Sequence, residues 1–288
     1  MNEYVLISDS TADLPVEVIS KFNIDIVPFS YSIEDVVTEY TLTEGEDAVA
    51  EFYNKLRHGA MPVTSQINPY IYKDFFEKYI KEGKDILYLC FSSGLSGSYQ
   101  TAGVAAGMLK EKYPDARISI IDSRCASVGQ GVLLYLAMQK KAQGMSFDEL
   151  EAWILDNKGD VSHWFMVEDL FHLKRGGRVN TVEAMVGTML KIKPILSVDE
   201  EGKLVVKSKA RGVNKALEYI IERLKEEAKD LSALTAVIGH ADSMEKAKKL
   251  KEMAVEAGMK EENIMIAPIG PIIGTHVGAG MAAIAFLR

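Results

Sequence analysis

Serine and glycine make up most of one short stretch of the chain, residues 92–98. An apolar run at residues 86–91 precedes it and predicts a buried strand, and a helical pattern follows over residues 98–112. The first turn of a helix offers unpaired backbone N–H groups and a partial positive charge to an anion. Gly94 and Gly97 allow an anion to approach the backbone closely, and the serines add hydroxyl groups. The alternative is that the serines only cap the helix.

The same stretch lacks the features of the common nucleotide sites. No Lys follows the glycines, which argues against a P-loop, and the glycine spacing is not that of a dinucleotide-binding turn. Residues 94–98, GLSGS, differ from the nucleophile elbow of serine hydrolases in their last residue, where Ser98 stands in place of Gly. The pattern therefore favours a single carboxylate or phosphate as the bound anion.

A second unusual stretch lies near the C-terminus, at residues 268–280, where glycines and prolines surround the polar pair Thr275-His276. This composition argues against a long helix or a central strand and predicts that the glycines let the backbone around His276 bend close to another group, which the pattern does not identify. The imidazole of His276 ionises near neutral pH, which suits hydrogen bonding to an anion. The alternative is a structural histidine that is bonded to the backbone.

The composition excludes several classes of protein. The 288 residues carry a net charge of −8, and 48% of them are hydrophobic, which is typical of a soluble globular protein. The acidic balance argues against a nucleic-acid partner, and no apolar run is long enough for stable membrane insertion. With two cysteines, scattered histidines and no signal peptide, we expect a cytoplasmic protein with no disulfide framework, no metal site and no cofactor.

Strand-like and helical patterns alternate through the first half of the chain. Strands are predicted at residues 4–8, 24–29, 86–91 and 118–121, and helices at residues 48–56, 70–81, 98–112, 129–142 and 147–157. This alternation predicts a parallel sheet with helices on both faces. Residues 31–42 fit either a short strand or a loop, and residues 61–66 are expected to form a non-helical connector.

Polar side chains follow three of the predicted strands. They are Asp9 and Ser10 after the first strand, Ser92 and Ser93 after the third, and Asp122 and Ser123 after the fourth. Because open α/β sheets bind ligands beyond the carboxyl ends of their strands, this edge is a candidate site. The alternative is that these strand ends are polar because they reach solvent.

The pattern changes after residue 157. Strand-like runs at residues 192–198 and 204–208 are joined by a turn at residues 199–202, which predicts a hairpin. Strand-like runs at residues 164–167, 234–239 and 264–267 and helical patterns at residues 182–190, 211–229 and 243–257 surround it. We therefore expect a Rossmann-like α/β domain over residues 1–157 and an α+β domain with a mixed sheet over residues 158–288.

Seven short motifs in this order resemble the DegV family, and the resemblance covers the whole chain. The motifs are DSTADLP at residues 9–15, TSQ at 64–66, SSGLSGSY at 92–99, IDS at 121–123, GGR at 176–178, KPI at 193–195 and GTHVG at 274–278. Each motif is weak alone, but their order and spacing are specific. Two small departures from the family pattern are Ile67 after the TSQ motif and Ala279 before the final glycine.

The resemblance implies a protein that binds one long-chain fatty acid, of the palmitate, stearate or oleate class, between its two domains. Bacterial members are the fatty-acid-binding subunits of a fatty acid kinase and have no catalytic activity alone. The implied partner is an ATP-dependent kinase subunit similar to dihydroxyacetone kinases. The product would be an acyl phosphate for phospholipid synthesis.

The resemblance also implies which residues bind the fatty-acid carboxylate. The family pattern places the carboxylate on Thr64 and Ser96, with backbone help at Gly97 and with His276 at the same end. Secondary candidates in the same motifs are Ser65, Ser93, Thr275 and Arg178.

An acyl chain would need an apolar tunnel, which we expect the second domain to supply. The candidate wall residues are Phe165, Val167, Leu170, Met185, Met189, Leu190, Ile192 and Ile195. For any one of them, a place in the ordinary core is the alternative.

Two other functions stay open at this point. In a serine hydrolase or acyltransferase, Ser96 would be the nucleophile, His276 the base, and Asp9 or Asp122 the orienting acid. A purely regulatory or interaction protein is the other alternative, for which the sequence offers no positive feature.

Overall fold

A computed structural model of the chain describes residues 3–179 and 191–288. Its strands are β1 (Tyr4–Asp9), β2 (Asp25–Val27), β3 (Phe29–Ile33), β4 (Val36–Tyr40), β5 (Val63–Ser65), β6 (Asp85–Cys90), β7 (Ile118–Asp122), β8 (Val161–Met166), β9 (Ile192–Val198), β10 (Leu204–Arg211), β11 (Ala236–His240), β12 (Ile264–Pro268) and β13 (Ala282–Leu287). Its helices are α1 (Val16–Phe22), α2 (Glu46–Arg57), α3 (Pro69–Lys81), α4 (Ser98–Lys112), α5 (Val128–Ala142), α6 (Phe147–Asn157), α7 (Phe171–Arg175), α8 (Val213–Glu227), α9 (Met244–Glu256) and α10 (Pro271–Val277). The helix predicted at residues 182–190 lies outside the described residues.

The first half of the chain contains a parallel four-stranded sheet with the order β2-β1-β6-β7. Its two central strands are paired from Tyr4 opposite Asp85 to Ser8 opposite Leu89. In β6 every residue after Asp85 is buried, as expected for a strand that helices cover on both faces. Helix α3 ends at Lys81, just before this strand, and α4 begins at Ser98, just after the serine-rich turn. The predicted strand–turn–helix unit is therefore present.

The second half contains a six-stranded mixed sheet with the order β10-β9-β8-β13-β11-β12. Strands β11 and β12 are parallel, and the other neighbours are antiparallel. The hairpin predicted at residues 199–202 joins β9 and β10. The central strand β13 was not predicted, although its sequence, AAIAFL, is an apolar run of strand length.

Most of residues 31–42, for which the sequence pattern fitted either a short strand or a loop, belong to a small third sheet. Strands β4, β3 and β5 form an antiparallel sheet, in which Tyr31 of β3 lies opposite Thr38 on one side and Thr64 on the other. Glu34 and Asp35 connect β3 to β4 with positive φ angles of 49° and 66°, as in a type I′ hairpin turn. The connector at residues 61–66 is non-helical, as predicted, and it contains an edge strand at residues 63–65 that the sequence pattern did not indicate.

Helix α5 joins the two large sheets. It follows β7 in the chain, but it packs on β13, β11 and β8 of the six-stranded sheet. Gln130 on the same helix donates hydrogen bonds to Ser8 and Asp9 at the end of β1. One continuous apolar core therefore contains residues of both halves of the chain.

The predicted fold class is confirmed: the protein has an α/β fold with a parallel four-stranded sheet and a mixed six-stranded sheet. The strands of the four-stranded sheet all precede residue 157, and those of the six-stranded sheet all follow it. Within residues 3–179 and 191–288, no helix combines the length and the apolar character needed to cross a bilayer.

Candidate functional site

A cavity lies between the six-stranded sheet, α5, α10 and the loops that follow β1 and β6. It offers about 130 Å³ to the centres of water-sized molecules, roughly ten times what one water needs. Polar side chains stand at one part of its wall, and most of the remaining wall is apolar. Among the predicted carboxylate-binding residues, Thr64, Ser65, Ser96, Gly97, Arg178 and His276 line it.

Thr64 and His276 meet at the polar part of the cavity, although they are 212 residues apart in the sequence. Thr64 is the middle residue of the edge strand β5, and His276 is in the last turn of α10. The Thr64 hydroxyl and His276 Nε2 are 2.9 Å apart and share a hydrogen bond. Both side chains are partly exposed, so a ligand in the cavity can reach them.

The glycines around His276 allow α10 to pack closely on aromatic side chains. A Cβ atom on Gly270 would lie 2.4 Å from the Tyr40 ring, and one on Gly274 would lie 2.5 Å from the Tyr53 hydroxyl. Because real Cβ atoms do not approach other atoms so closely, any larger residue would push α10 away from this surface. The sequence signal of close approach is correct, but the contact is with the protein's own core.

Gly176 provides the room for the imidazole of His276 itself. A Cβ atom on Gly176 would lie 2.2 Å from His276 Nδ1. This nitrogen is buried and has no hydrogen-bond partner among the described residues. The missing side chain of Gly176, the first glycine of the GGR motif, therefore leaves the space that the His276 ring occupies.

The surroundings of His276 keep its imidazole neutral at neutral pH. Burial lowers its pKa to about 4, and the positive charges of Arg178 and Arg175 and the nearby His172 act in the same direction. A neutral imidazole has one nitrogen that accepts and one that donates, so Nε2 can exchange hydrogen bonds with Thr64 or with a ligand. A bound anion would counteract the two arginines and raise this pKa.

Ser96 and Gly97 lie on the other side of the polar end, just before α4. The Ser96 hydroxyl is 2.8 Å from the Ser98 hydroxyl, and Ser98 N–H donates to Ser96 Oγ at 3.3 Å. A Cβ atom on Gly97 would lie 2.8 Å from the amide oxygen of Gln66. The glycine therefore lets Gln66 of the TSQ motif close over the turn. Gln66 also lines the cavity, and our sequence analysis did not name it as a site residue.

Arg178 supplies a half-buried positive charge near these residues. Its Nε donates to the backbone oxygen of Leu95 at 3.2 Å, and another guanidinium nitrogen donates to the backbone oxygen of Gly176. Burial lowers the pKa of the guanidinium, which stays charged because its ordinary value is far above neutrality. Arg178 thus connects the GGR motif to the serine-rich turn.

Two of the secondary candidates lie outside the described lining of the cavity. Ser93 donates to the carboxylate of Asp122 through both its hydroxyl and its backbone N–H. Thr275 donates its hydroxyl to Pro271 O at 2.8 Å, within α10. Their hydroxyls are therefore already occupied by the protein.

The ends of the parallel strands hold a separate strand-exit cluster, which we define as Asp9, Thr11, Asp13, Ser127 and Gln130. Asp9 accepts from Phe91 N–H at 2.9 Å, and Asp13 accepts from Ser127 and from Gly270 N–H. Thr11 and Ser127 line the cavity, but their hydroxyls bond to the two carboxylates. Among the residues predicted at the polar edge of the sheet, Asp9 belongs to this cluster, and Ser92 and Ser93 also donate within the protein, to Gly202 O and to Asp122.

The apolar wall is shared by both halves of the chain. Phe29, Phe91 and Val128 come from the first half, and Phe165 comes from the second. Among the other predicted wall residues, Val167, Leu170, Ile192 and Ile195 are not in the described lining, and Met185, Met189 and Leu190 lie outside the described residues. The prediction also missed Met281, Ala283 and Ala285, because β13 was not recognised.

The groups needed for a serine hydrolase are not assembled in this arrangement. The hydroxyl of Ser96 bonds to Ser98, and Nε2 of His276 bonds to Thr64. Asp9 and Asp122 are occupied by neighbouring loops, and no described acid contacts Nδ1 of His276. A triad requires hydrogen bonds from nucleophile to base and from base to acid. The described residues also include no group of acidic, histidine and cysteine side chains that could hold a metal ion.

Comparison with known proteins gives one consistent result. The model of the DegV family, described as "Uncharacterised protein, DegV family", matches residues 3–288. A DegV domain-containing protein of Clostridium perfringens is 42% identical over 288 residues, which is 100% of this chain and 98% of the relative.

Solved structures agree with this assignment. A DegV lipid-binding protein of Thermotoga maritima superposes with a TM-score of 0.87 at 29% identity, over 99% of this chain and 98% of its own. A fatty-acid-binding DegV family protein of Thermus thermophilus has a TM-score of 0.87 at 27% identity, over 100% of both chains. The seven motifs, the fold and these matches together show that this chain belongs to the DegV family.

Proposed function

We propose that this protein binds one long-chain fatty acid of the palmitate, stearate or oleate class. Its carboxylate would lie against Thr64, Ser96, Gly97 and His276, and its acyl chain would lie along the apolar wall. The observation that carries the proposal is that one cavity has this polar group at one part of its wall and apolar side chains along most of the rest. Related proteins of known structure are described as fatty-acid-binding or lipid-binding DegV proteins.

The chemistry of the polar end suits a carboxylate. Hydroxyl groups, a neutral imidazole and the first turn of α4 can hold one negative charge without a buried Lys. Arg178 adds a positive charge that no described carboxylate neutralises by a salt bridge. A carboxylate between these groups would raise the pKa of His276 and strengthen the hydrogen bond that the imidazole donates.

The apolar wall would supply most of the affinity. Burying one methylene group contributes roughly 0.8 kcal/mol, so a chain of about 15 methylenes contributes on the order of 12 kcal/mol before the costs of binding. A hydrogen bond to a charged head group contributes only about 1.5–3 kcal/mol. The affinity should therefore depend mainly on the acyl chain. The polar residues should determine where the carboxylate lies.

We further propose that the bound carboxylate is presented in the cytoplasm to an ATP-dependent kinase subunit of the dihydroxyacetone-kinase-like type. The acyl phosphate would then enter phospholipid synthesis, and this protein would have no catalytic step of its own. Three observations support this role. Thr64, Ser96 and His276 are partly exposed, the sequence has no nucleotide motif, and the hydrogen bonds of a triad are not formed among the residues that the structure describes.

The first test is mass spectrometry of lipid extracted from the purified, denatured protein. We expect a fatty acid of fourteen to eighteen carbons in a near-stoichiometric amount. A delipidated sample should also take up palmitate or oleate in a calorimetric titration. A protein that carries no acid and binds neither of the two would refute the proposal.

The second test addresses the kinase role. Ser96→Ala and its matched control Ser93→Ala are loaded with palmitate, and acyl phosphate formation is measured with the native kinase and ATP. Ser96→Ala should lower the turnover more than it lowers palmitate binding, because phosphoryl transfer depends on the position of the head group. Equal turnover in the two variants would contradict this role. A fluorophosphonate label that is lost in Ser96→Ala would instead favour a hydrolase.

A further inference from the structure

His163 lies between the cavity and a second, polar recess. It is in β8, it lines the cavity, and it also lines the recess that contains Lys158, Glu227 and Arg288. The side chain is buried. His163, Trp164 and Val198 line both spaces and therefore stand between the apolar cavity and the polar recess.

The position of His163 is remote from the polar end along β13. Strand β13 runs away from α10, and Ala283 and Ala285 of this strand lie on the cavity wall together with Met281 just before it. Ala285 pairs directly with His163 across the sheet, and Met281 follows four residues after Val277, the last residue of the helix that carries His276. From Met281 to Ala285 the chain covers about 13 Å at the rise of an extended strand. Small Ala side chains keep this stretch of the cavity open.

The imidazole of His163 is held firmly in place. A Cβ atom on Gly129 of α5 would lie 1.8 Å from His163 Nε2, so the ring fits against the bare backbone of the helix. Ala126 N–H donates to the same nitrogen at 3.4 Å. Burial lowers the pKa of His163 to about 4, which keeps the ring neutral at neutral pH.

Strands β8 and β9 of the six-stranded sheet are not paired beside His163. The pairing of β8 with β9 covers only Phe165 opposite Leu196 and Met166 opposite Ile195. His163 and Trp164 precede that pairing, and both line the cavity as well as the recess. The polar recess is therefore reached through the gap between the two strands, and the ring of His163 stands in front of it.

We infer that His163 is the residue that stops the acyl chain, and that it thereby sets the longest fatty acid that the cavity accepts. This inference rests on the proposed function and specifies its substrate. Removing the ring would join the cavity to the polar recess and make room for additional methylenes. Enlarging Ala285, which pairs with His163, would fill the same end and shorten the accepted chain.

The test is equilibrium binding of saturated acids from twelve to twenty-two carbons to four delipidated proteins. These are the wild type, His163→Ala, Ala285→Val and the control His240→Ala. His240 is also a buried histidine of the six-stranded sheet, but it is not among the described residues of the cavity wall. Thermal melting of each variant checks its folding.

We expect the optimum to move to longer acids in His163→Ala and to shorter acids in Ala285→Val. The change in relative affinity should be about tenfold for every two methylenes that gain or lose a buried place. His240→Ala should keep the wild-type optimum. If His163→Ala does not fold, the test depends on Ala285→Val. A shift of its optimum to shorter acids supports the inference, and an unchanged optimum contradicts it.

Two contrary results have different meanings. An unchanged optimum in the folded variants, with binding retained, overturns the role of His163 and leaves the proposed function intact. A wild-type protein that binds none of the acids overturns the proposed function and this inference with it.

Discussion

Two groups of polar side chains lie close to the same cavity, and they differ in how far the protein satisfies them. The carboxylates of the strand-exit cluster are fully buried and accept hydrogen bonds from the neighbouring loops. At the polar end of the cavity, Thr64, Ser96 and His276 are partly exposed, and Nδ1 of His276 has no partner among the described residues. A buried and satisfied group stabilises the fold, whereas a reachable and under-satisfied group is free to bind.

Hydrogen bonds of the strand-exit cluster also connect the two halves of the chain. Asp13 accepts from Ser127 at the start of α5 and from Gly270 at the start of α10. The DSTADLP motif therefore positions the helix that carries His276. The strand-exit cluster should affect binding through stability, and the polar end should affect binding directly.

The largest effect is expected for Asp9→Ala. The substitution leaves the N–H groups of Phe91 and Thr11 and the hydroxyl of Tyr88 without their buried acceptor. Each unsatisfied donor costs about 1–3 kcal/mol, so urea denaturation should show a loss of about 5 kcal/mol in the free energy of unfolding. The control is Asp74→Ala, whose side chain is 77% exposed and should change stability by less than about 0.5 kcal/mol. Equal stability of the two variants would mean that the cluster does not stabilise the fold.

The next effect is a pH dependence that comes from Asp13. Burial raises the pKa of this carboxyl to about 7 in the folded protein, from 3.8 in the unfolded chain. The folded state then binds the extra proton, so this residue's contribution to stability is present near pH 4 and is lost as the pH rises to about 7. Over this interval the loss is about 4 kcal/mol. Asp13→Asn keeps an acceptor for Gly270 and should remove the loss.

The measurement is the difference in unfolding free energy between Asp13→Asn and the wild type at pH values from 4 to 8. Burial lowers the pKa of His163 and of His276 to about 4, so these residues destabilise the fold as the pH falls from about 6.5. Both proteins carry these histidines, and the difference therefore isolates Asp13. The variant should gain stability relative to the wild type as the pH rises. A difference that does not change with pH would place the pKa of Asp13 near its ordinary value.

The smallest effect is expected at Thr64, and Thr275, which the motifs suggest as a secondary candidate, is its matched control. Thr64→Ala should weaken fatty-acid binding by about 1–3 kcal/mol, or roughly fivefold to 150-fold, because a hydrogen bond to the carboxylate is lost. Thr275→Ala removes only the bond to Pro271 within α10, so its affinity should match the wild type. Titration calorimetry of both variants with palmitate makes the comparison. A similar loss in both would place Thr275 in the binding site after all.

Local patterns were sufficient for most of the elements. Apolar runs and helical periodicity predicted β6, α4 and the hairpin between β9 and β10 close to their observed bounds. They failed at β5, a short edge strand that is defined by its pairing with β3. They also missed β13, whose central place depends on partners more than 40 residues away in the sequence. Strand pairing is a long-range property, and short segments carry little information about it.

The site shows the same division. In the sequence, the residue types alone pointed to Ser96, Gly97 and His276, and the resemblance of the motifs to the DegV family added Thr64. Only the tertiary structure decided that these residues face one cavity, that Ser93 and Thr275 bond elsewhere, and that His163 lies on the wall of the same cavity. The physical reason is that residue type determines which bonds a group can make, whereas burial and packing determine which partner it actually meets.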